Sequence, residues 1–152
     1  MAPLSANIEP STVDEIELCA QMLLRQHAEE AEPDLAEKLE PEWAVYRKAE
    51  KDGQLIIFAA WAGELMVGYA VAVVVPDLHY SGRLICQHDL LFVGQEWRRS
   101  GVGRRLIEEL RAEAVRHGAD VLLMHAKVGS GLQSLLPRLG FRPEETIFRE
   151  DL

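Results

Sequence analysis

The 152-residue chain is most simply a single domain, residues 1–152, large enough to bury roughly 70% of the surface that its unfolded form exposes. Its residues are 48% hydrophobic and 27% charged, a composition typical of a soluble globular protein. The formal net charge of -9 disfavours general nucleic-acid binding, because the basic footprint is confined to residues around 98–105.

The sequence also predicts the cellular setting. The first ten residues, MAPLSANIEP, have no basic or apolar run, so we expect no signal peptide. The longest apolar tract, residues 65–75, is too short to cross a bilayer and is rich in β-branched residues. Cys19 and Cys86 have no metal-ligand spacing, and we interpret them as buried thiols of a reducing compartment. These features predict a cytoplasmic protein without a metal or a membrane partner.

The N-terminal half predicts a strand, two helices and a hairpin. Residues 6–9 favour a short strand, and Ser11 or Thr12 is a suitable N-cap for the helix that follows. A second helix is expected over residues 35–46, with a break near Pro41. Two strands, 54–61 and 64–76, with a turn at Ala62-Gly63, form the predicted hairpin.

The C-terminal half alternates strands with helices. Its clearest element is a helix at 102–117, whose apolar residues form one stripe and which Gly118 ends. The other predicted elements are a strand at Leu84–Val93, a strand at 119–127, a short helix at 131–139 and a last strand at 141–149. This order indicates an α/β or α+β domain around one mixed sheet.

The segment RRSGVGRR, residues 98–105, concentrates positive charge where the helix begins, and we expect its four arginines to surround one point there. A helix start already carries unpaired N–H groups and a positive dipole end, so arginines there add repulsion unless an anion binds. Gly101 and Gly103 permit positive φ and close backbone approach, which lets successive N–H groups converge. We therefore favour a phosphate site, most naturally for a pyrophosphate, over a solvated basic helix start. Neither the Walker nor the dinucleotide-binding pattern matches.

The same residues carry a family resemblance. Leu91-Phe92-Val93 followed by RRSGVG at 98–103 resembles the signature strand and [RQ]-x-x-G-x-[GA] loop of the GNAT superfamily of N-acetyltransferases. Leu139-Gly140-Phe141 resembles the superfamily's L-G-F motif. The resemblance implies a central mixed, mostly antiparallel sheet flanked by helices, in which strands 84–93 and 119–127 splay apart.

The resemblance also implies acetyl-CoA as the co-substrate. The loop amides would bind its pyrophosphate, and the pantetheine arm would pair with the end of the preceding strand. The implied binding residues are Leu91, Phe92, Val93, Arg98, Arg99, Ser100, Gly101, Val102, Gly103 and Arg104.

Direct transfer to an amine needs a base or a water chain that takes the amine proton. Strict alternation along strand 84–93 places Asp89 and Gln87 on the same face as Leu91 and Val93. It places His88 on the other face, with Leu90 and Phe92. The superfamily often uses the positions of Asp89 and Gln87, and Asp89 is the candidate base; pairing with an arginine or capping a loop is its alternative role. His88 is the better base by intrinsic pKa, but a strand bulge would be needed to bring it to that face.

Two family positions differ in this chain. Leu136 stands where the superfamily often has a tyrosine that donates a proton to the CoA thiolate, and Gly129 replaces a usual asparagine. The acid is therefore missing, or His125, Ser130, Ser134 or water supplies it. His125 is the first of these candidates, with packing against the following helix as its alternative role.

The function that we expect is transfer of an acetyl group from acetyl-CoA directly to a primary amine of a small molecule or peptide. A catalytically degenerate acyl-CoA-binding or sensing domain is the alternative, because the tyrosine is lost; a purely structural domain would leave the arginine loop unexplained. The acidic segment at 27–34 could attract a cationic amine such as a polyamine, although a solvated helix end is the simpler interpretation. A homodimer is left open.

Overall fold

The computed structural model describes residues 5–152, in which five strands form one sheet in the order β1-β2-β3-β4-β5. The strands are β1 Asn7–Pro10, β2 Leu55–Ala62, β3 Leu65–Pro76, β4 Leu84–Val93 and β5 Val121–Leu123. The helices are α1 Val13–Cys19, α2 Gln21–Ala31, α3 Trp43–Lys51, α4 Val102–Arg116 and α5 Gly131–Arg138, with short 3₁₀ segments at Pro33–Lys38 and Gln95–Trp97.

The sheet is mixed and mostly antiparallel, as predicted. The four strands β1 to β4 are antiparallel neighbours, whereas β5 runs parallel to β4. The β4–β5 pairing covers only Ile85 to Gln87, opposite Val121 to Leu123. Within the described chain, residues 88–93 of β4 therefore have no strand partner on the β5 side. The sheet opens at this point, which is the splay that the resemblance implies.

Each face of the sheet buries its own apolar core. On one face α4 packs through Leu106 and Leu110, which are fully buried against β2 and β3. On the other face α1 and α2 pack through Ile16 and Leu24 and cover Phe92 of β4. Strand β4 thus lies between two packed layers that hold its backbone in place.

The helix ends follow the predicted chemistry. Thr12 is the N-cap of α1, since its hydroxyl accepts the N–H of Glu15 at 3.2 Å. Gly118 follows α4 with φ +77°, the left-handed conformation that favours glycine at this position. The second predicted helix is divided at Pro41 into the 3₁₀ segment Pro33–Lys38 and α3.

Two predicted strands differ in the structure. Strand β5 ends at Leu123 instead of reaching residue 127. The backbone N–H of His125 donates to a side-chain atom, Nδ1 of His88 at 3.0 Å, and so does not continue the pairing with β4. Residues 141–149 form no strand, since no neighbouring strand of the described chain pairs with them. Arg149 instead donates to Glu32 at the end of α2, at 2.7 Å.

The two thiols differ in environment, contrary to expectation. Cys86 is buried in the sheet, and burial raises the pKa of its thiol to about 11. Cys19, the last residue of α1, is exposed. Among the described residues, none of the helices is long and apolar enough to span a membrane.

Candidate functional site

A β-bulge lies in the middle of β4. Val71 of β3 pairs with Leu90, and the next residue, Ala72, pairs with His88, so Asp89 is the extra residue. The bulge interrupts the alternation on which the predicted faces depend. His88 therefore shares the α4 face with Leu91 and Val93, and Gln87 lies on the opposite face. The two residues still lie on opposite faces, but the prediction that Gln87, and not His88, shares the face of Leu91 and Val93 was wrong.

Asp89 is positioned by a residue that the sequence analysis missed. The hydroxyl of Tyr46, on α3, donates to Oδ2 of Asp89 at 2.5 Å. Burial raises the pKa of Tyr46, and the Asp89 carboxylate raises it further, so the phenol stays protonated and remains a donor. Oδ1 of Asp89 has no hydrogen-bond partner within residues 5–152. No short-range pattern links residues 46 and 89, so sequence periodicity could not reveal this pair.

His88 is a buried, neutral histidine. Its relative exposure is 7%, and burial, with a smaller contribution from His125, lowers its pKa to about 4. Its Nδ1 accepts the backbone N–H of His125 at 3.0 Å, which leaves the proton of the neutral ring on Nε2. The Nδ1 lone pair, which a base would need, is therefore occupied by the hydrogen bond that connects β4 to the chain after β5.

His125 lies at the mouth of the opening between β4 and β5. Its Nε2 is 3.3 Å from the amide nitrogen of Gln87, and its ring centroid is 5.6 Å from that of His88. These residues and Asp89 line a small cavity of about 200 Å³. The side chain of His125 is exposed, so it does not pack against the following helix. The structure thus brings together Asp89, His88 and His125, the three predicted catalytic residues. In the part of the chain that the structure describes, no group of His, Cys, Asp or Glu is arranged to hold a metal ion.

The loop before α4 has the backbone that the glycines predict. Arg99 and Gly101 have positive φ, 67° and 87°, and Gly101 is the N-cap of α4. The N–H groups of Gly101, Gly103 and Arg104 have no acceptor within residues 5–152, as expected at a helix start. Ser100 braces the turn, because its hydroxyl donates to the carbonyl oxygen of Trp97.

Gly103 is not required by the packing of the protein. It lies in the first turn of α4 with an ordinary φ, and a Cβ there would meet only Val93 Cγ2, at 3.7 Å. Glycine in a helix costs roughly 0.5–1 kcal/mol relative to alanine. Because packing does not require Gly103, its place beside unpaired N–H groups indicates that a ligand approaches the backbone closely here.

The loop arginines do not all converge on one point. Arg98 is held by the protein, since its guanidinium donates to both oxygens of Glu30 at 3.0 and 2.8 Å and to the carbonyl oxygen of Val93 at 3.0 Å. Arg105 reaches away to the carbonyl oxygen of Ala6, and Arg104 pairs with Glu108 one turn later. Within the described residues, Arg99 makes no such contact. The expectation that four arginines surround the anion is therefore corrected to Arg99, with Arg104 beside it.

A larger cavity of about 580 Å³ lies under α2, α3 and the 3₁₀ segment between them. Its wall includes Leu90 of β4 and Tyr46, so it reaches the strand beside Asp89. His27, a second residue whose contacts the sequence did not predict, also lines it. The ring of His27 stacks on Phe92 at 4.8 Å, its Nδ1 lies 2.9 Å from the Tyr69 hydroxyl, and burial lowers its pKa.

The sequence matches a known protein family over most of the strands and helices that form this site. Residues 49–143 match the model of an acetyltransferase (GNAT) domain, which covers more than half of the chain. The chain belongs to the GNAT acetyltransferase family. None of the curated proteins matches its sequence.

Solved structures share the fold at low identity. An aminoglycoside acetyltransferase from an uncultured soil metagenomic sample is 23% identical with a TM-score of 0.78, over 97% of this chain and 99% of that chain. An acetyltransferase of Trypanosoma brucei is 20% identical with a TM-score of 0.71, over 97% and 100%. A ribosomal-protein-alanine N-acetyltransferase of Brucella melitensis is 16% identical with a TM-score of 0.72, over 97% and 99%. At these identities the likeness establishes the fold.

Proposed function

We propose that this acetyltransferase moves an acetyl group from acetyl-CoA directly to a primary amine of a small molecule or peptide. The observation that carries the proposal is the loop at 98–104, where unpaired N–H groups and a glycine with room for a Cβ lie at the positive end of α4. The loop adjoins the stretch of β4 that has no partner on the β5 side. The loop therefore offers N–H donors to a phosphate group, and the unpaired stretch of β4 offers backbone groups to the extended pantetheine arm.

The residues present fit acetyl-CoA. The N–H groups of Gly101, Gly103 and Arg104, with the Arg99 side chain, would hold the pyrophosphate, and the backbone at 91–93 would pair with the pantetheine arm. Arg98 supports this surface indirectly, by fastening α2 to the end of β4 through Glu30 and the Val93 carbonyl. Acetyl-CoA supplies the acetyl group as an activated thioester.

Asp89 is the proposed proton acceptor for the amine. Its Oδ1 has no partner within residues 5–152, and the Tyr46 hydroxyl holds the carboxylate in place through Oδ2. The amine proton would pass to Asp89 directly or through one water, which typically contributes about 10²–10⁴-fold in rate. The pairing of Asp89 with a tyrosine replaces its alternative role as the partner of an arginine.

His88 and His125 have secondary roles in this proposal. Nδ1 of His88 is engaged by the His125 N–H, so His88 positions the chain at the mouth of the cleft. Leu136, which is buried, brings no titratable group to the position of the family tyrosine. His125 is the side chain that could donate a proton to the leaving thiolate. A thiol of pKa about 8.5 can also leave as the anion without much help.

Asp89→Asn tests the proposal. We expect kcat to fall by about 10²-fold or more while CoA affinity, measured by calorimetry, stays the same, because the amide cannot accept the proton. Glu109→Gln, the same carboxylate-to-amide change on the exposed side of α4, is the control and should leave both quantities unchanged. Full activity of Asp89→Asn together with loss of activity in His88→Ala would assign the base to His88 instead.

The second candidate function is an acyl-CoA-binding domain without turnover. Leu136 at the tyrosine position is the observation in its favour. Binding of acetyl-CoA with no acetylation of any amine in a broad panel would support this function, and acetylation of one amine would exclude it.

A further inference from the structure

The 580 Å³ cavity is of a size typical for a small-molecule site, and its wall is mostly apolar. Leu35, Leu39 and Trp43 form its outer side, and Ile57, Val71 and Leu90 of the sheet form its floor. Leu35 and Leu39 are 50% and 43% exposed, so apolar side chains of the 3₁₀ region remain only partly covered by the protein. Covering such a surface with an apolar group releases water from it and is favourable in free energy.

The polar lining residues of this cavity come from two parts of the structure. Where it meets β4, the lining residue Tyr46 holds the Asp89 carboxylate at 2.5 Å, and His27 lies nearby. The charged lining residues Glu32, Lys38, Glu40 and Glu42 lie on the segment that forms the outer rim. One amine next to Asp89, joined to an apolar body, would complement this distribution.

The acidic segment 27–34 is partly neutralised by the chain itself. Both oxygens of Glu30 accept hydrogen bonds from Arg98, at 3.0 and 2.8 Å. Glu32 is paired with Arg149 at 2.7 Å and lies 3.6 Å from Lys127. These pairs weaken the attraction of this segment for a polyamine, and a second ammonium group beside the apolar wall of the cavity would be desolvated at a cost.

We propose that the acceptor is a monoamine with an apolar alkyl or aryl body, which fills this cavity and places its amine at Asp89. This inference rests on the proposed function and names the substrate class for the same site. It separates this chain from an acceptor with several charged amines. Trp43 and Tyr46 add aromatic surface on which such a body can pack.

A homologous series of n-alkylamines from four to eight carbons tests the inference in the unmodified protein. Each added methylene should raise kcat/KM about threefold to fourfold, the equivalent of burying one CH₂. 1,4-Diaminobutane is matched in length to n-butylamine, but its second ammonium group would stop beside the apolar wall, short of the charged residues of the rim. Its kcat/KM should be at least about 100-fold lower than that of n-butylamine because that charge would be desolvated. A flat series, or a preference for the diamine, would overturn the inference while the proposed function stands.

A pair of variants locates the binding. Leu39→Asp puts a carboxylate in the cavity wall and should raise the KM for n-octylamine at least tenfold without changing CoA affinity. Val45→Asp makes the same kind of change at an exposed position of α3 outside the cavity, where Val45 is 64% exposed, and should change neither quantity.

If no amine is acetylated, the proposed function fails and binding decides the inference. n-Octylamine that binds in calorimetry, with binding lost in Leu39→Asp and kept in Val45→Asp, would support the apolar amine site. Absence of binding, or binding that Leu39→Asp leaves intact, would overturn it.

Discussion

The Tyr46 hydroxyl donates to Oδ2 of Asp89 across 43 positions of sequence, and it joins α3 to the bulge of β4. This one hydrogen bond connects the apolar cavity to the opening between β4 and β5. It engages Oδ2 of Asp89 and leaves Oδ1 without a hydrogen-bond partner within residues 5–152. The two residues are best tested as a unit.

Tyr46→Phe should keep the ring in the cavity and remove only the donor. Without this donor, the Asp89 carboxylate is no longer held in one orientation at the opening between β4 and β5. We expect kcat to fall by about 10- to 100-fold, the equivalent of a lost hydrogen bond to a charged group, while CoA affinity stays the same in calorimetry. Trp43→Phe, which alters the same wall without touching Asp89, should leave kcat nearly unchanged. An unchanged kcat in Tyr46→Phe would show that this hydrogen bond does not position Asp89 for the reaction.

Gly103→Ala should separate stability from binding. A Cβ at residue 103 meets only Val93 Cγ2 at 3.7 Å, so we expect the free energy of unfolding to rise by about 0.5–1 kcal/mol. The same methyl group would lie among the loop N–H groups and should weaken CoA binding at least tenfold. Gly131→Ala, at the start of α5 with nothing within 4 Å, is the matched control for stability and should leave CoA affinity unchanged. Undiminished CoA affinity in Gly103→Ala would place the pyrophosphate elsewhere.

Two arginines distinguish a role in binding from a role in folding. Arg99 has no partner in the described chain, whereas Arg105 donates to the Ala6 carbonyl oxygen at 2.7 Å. Arg99→Ala should weaken CoA binding about 3- to 10-fold, less at high salt, because exposed charges are screened. Arg105→Ala should instead lower the melting temperature with CoA affinity unchanged. The reverse pattern in calorimetry and thermal unfolding would exchange the two assignments.

Much of the fold was predictable because its signals are local. Thr12 is followed by a helix, Gly118 ends one, and the stripe of α4 has the period of a buried helix face. The bulge at Asp89 was not predictable, since a single extra residue leaves no trace in an apolar strand yet reverses the faces of His88 and Gln87. The predicted strand at 141–149 was wrong because local preference alone does not form a strand. Its residues favour a strand, but within the described chain no neighbouring strand pairs with them.

The candidate site likewise combines local features, which the sequence predicts, with long-range contacts, which it does not. The backbone of the loop at 98–104 could be predicted from Gly101 and Gly103, because its geometry is set within eight residues. The partners of Arg98 and Asp89 could not, because Glu30 and Tyr46 lie 68 and 43 positions away. Periodicity carries no information about contacts at such separations.

The low pKa of His88 predicts a loss of stability in mild acid. Burial lowers this pKa from 6.5 to about 4, so between these values the unfolded chain binds a proton that the folded chain does not. The contribution is present above pH 6.5 and is lost as the pH falls toward 4, with a total on the order of 3 kcal/mol. His88→Asn keeps an acceptor for the His125 N–H and should flatten the dependence, measured by urea unfolding at pH 4.5, 5.5 and 7. His79→Asn, in an exposed loop, should retain the slope of the unmodified protein.

His125 decides whether the reaction needs an acid. Leu136 supplies none, and the side chain of His125 lines the small cavity with Asp89 and Gln87. Because a thiolate of a thiol with pKa about 8.5 leaves with little assistance, we expect His125→Ala to lower kcat by less than about tenfold. The rate of both proteins should rise with pH as the acceptor amine loses its proton. Leu136→Tyr, if its ring fits this buried position, should raise kcat modestly, and the fold should be checked by thermal unfolding because extra volume there can cost about 1–3 kcal/mol. Abolished turnover in His125→Ala, with CoA still bound, would contradict this and assign the proton donor to His125.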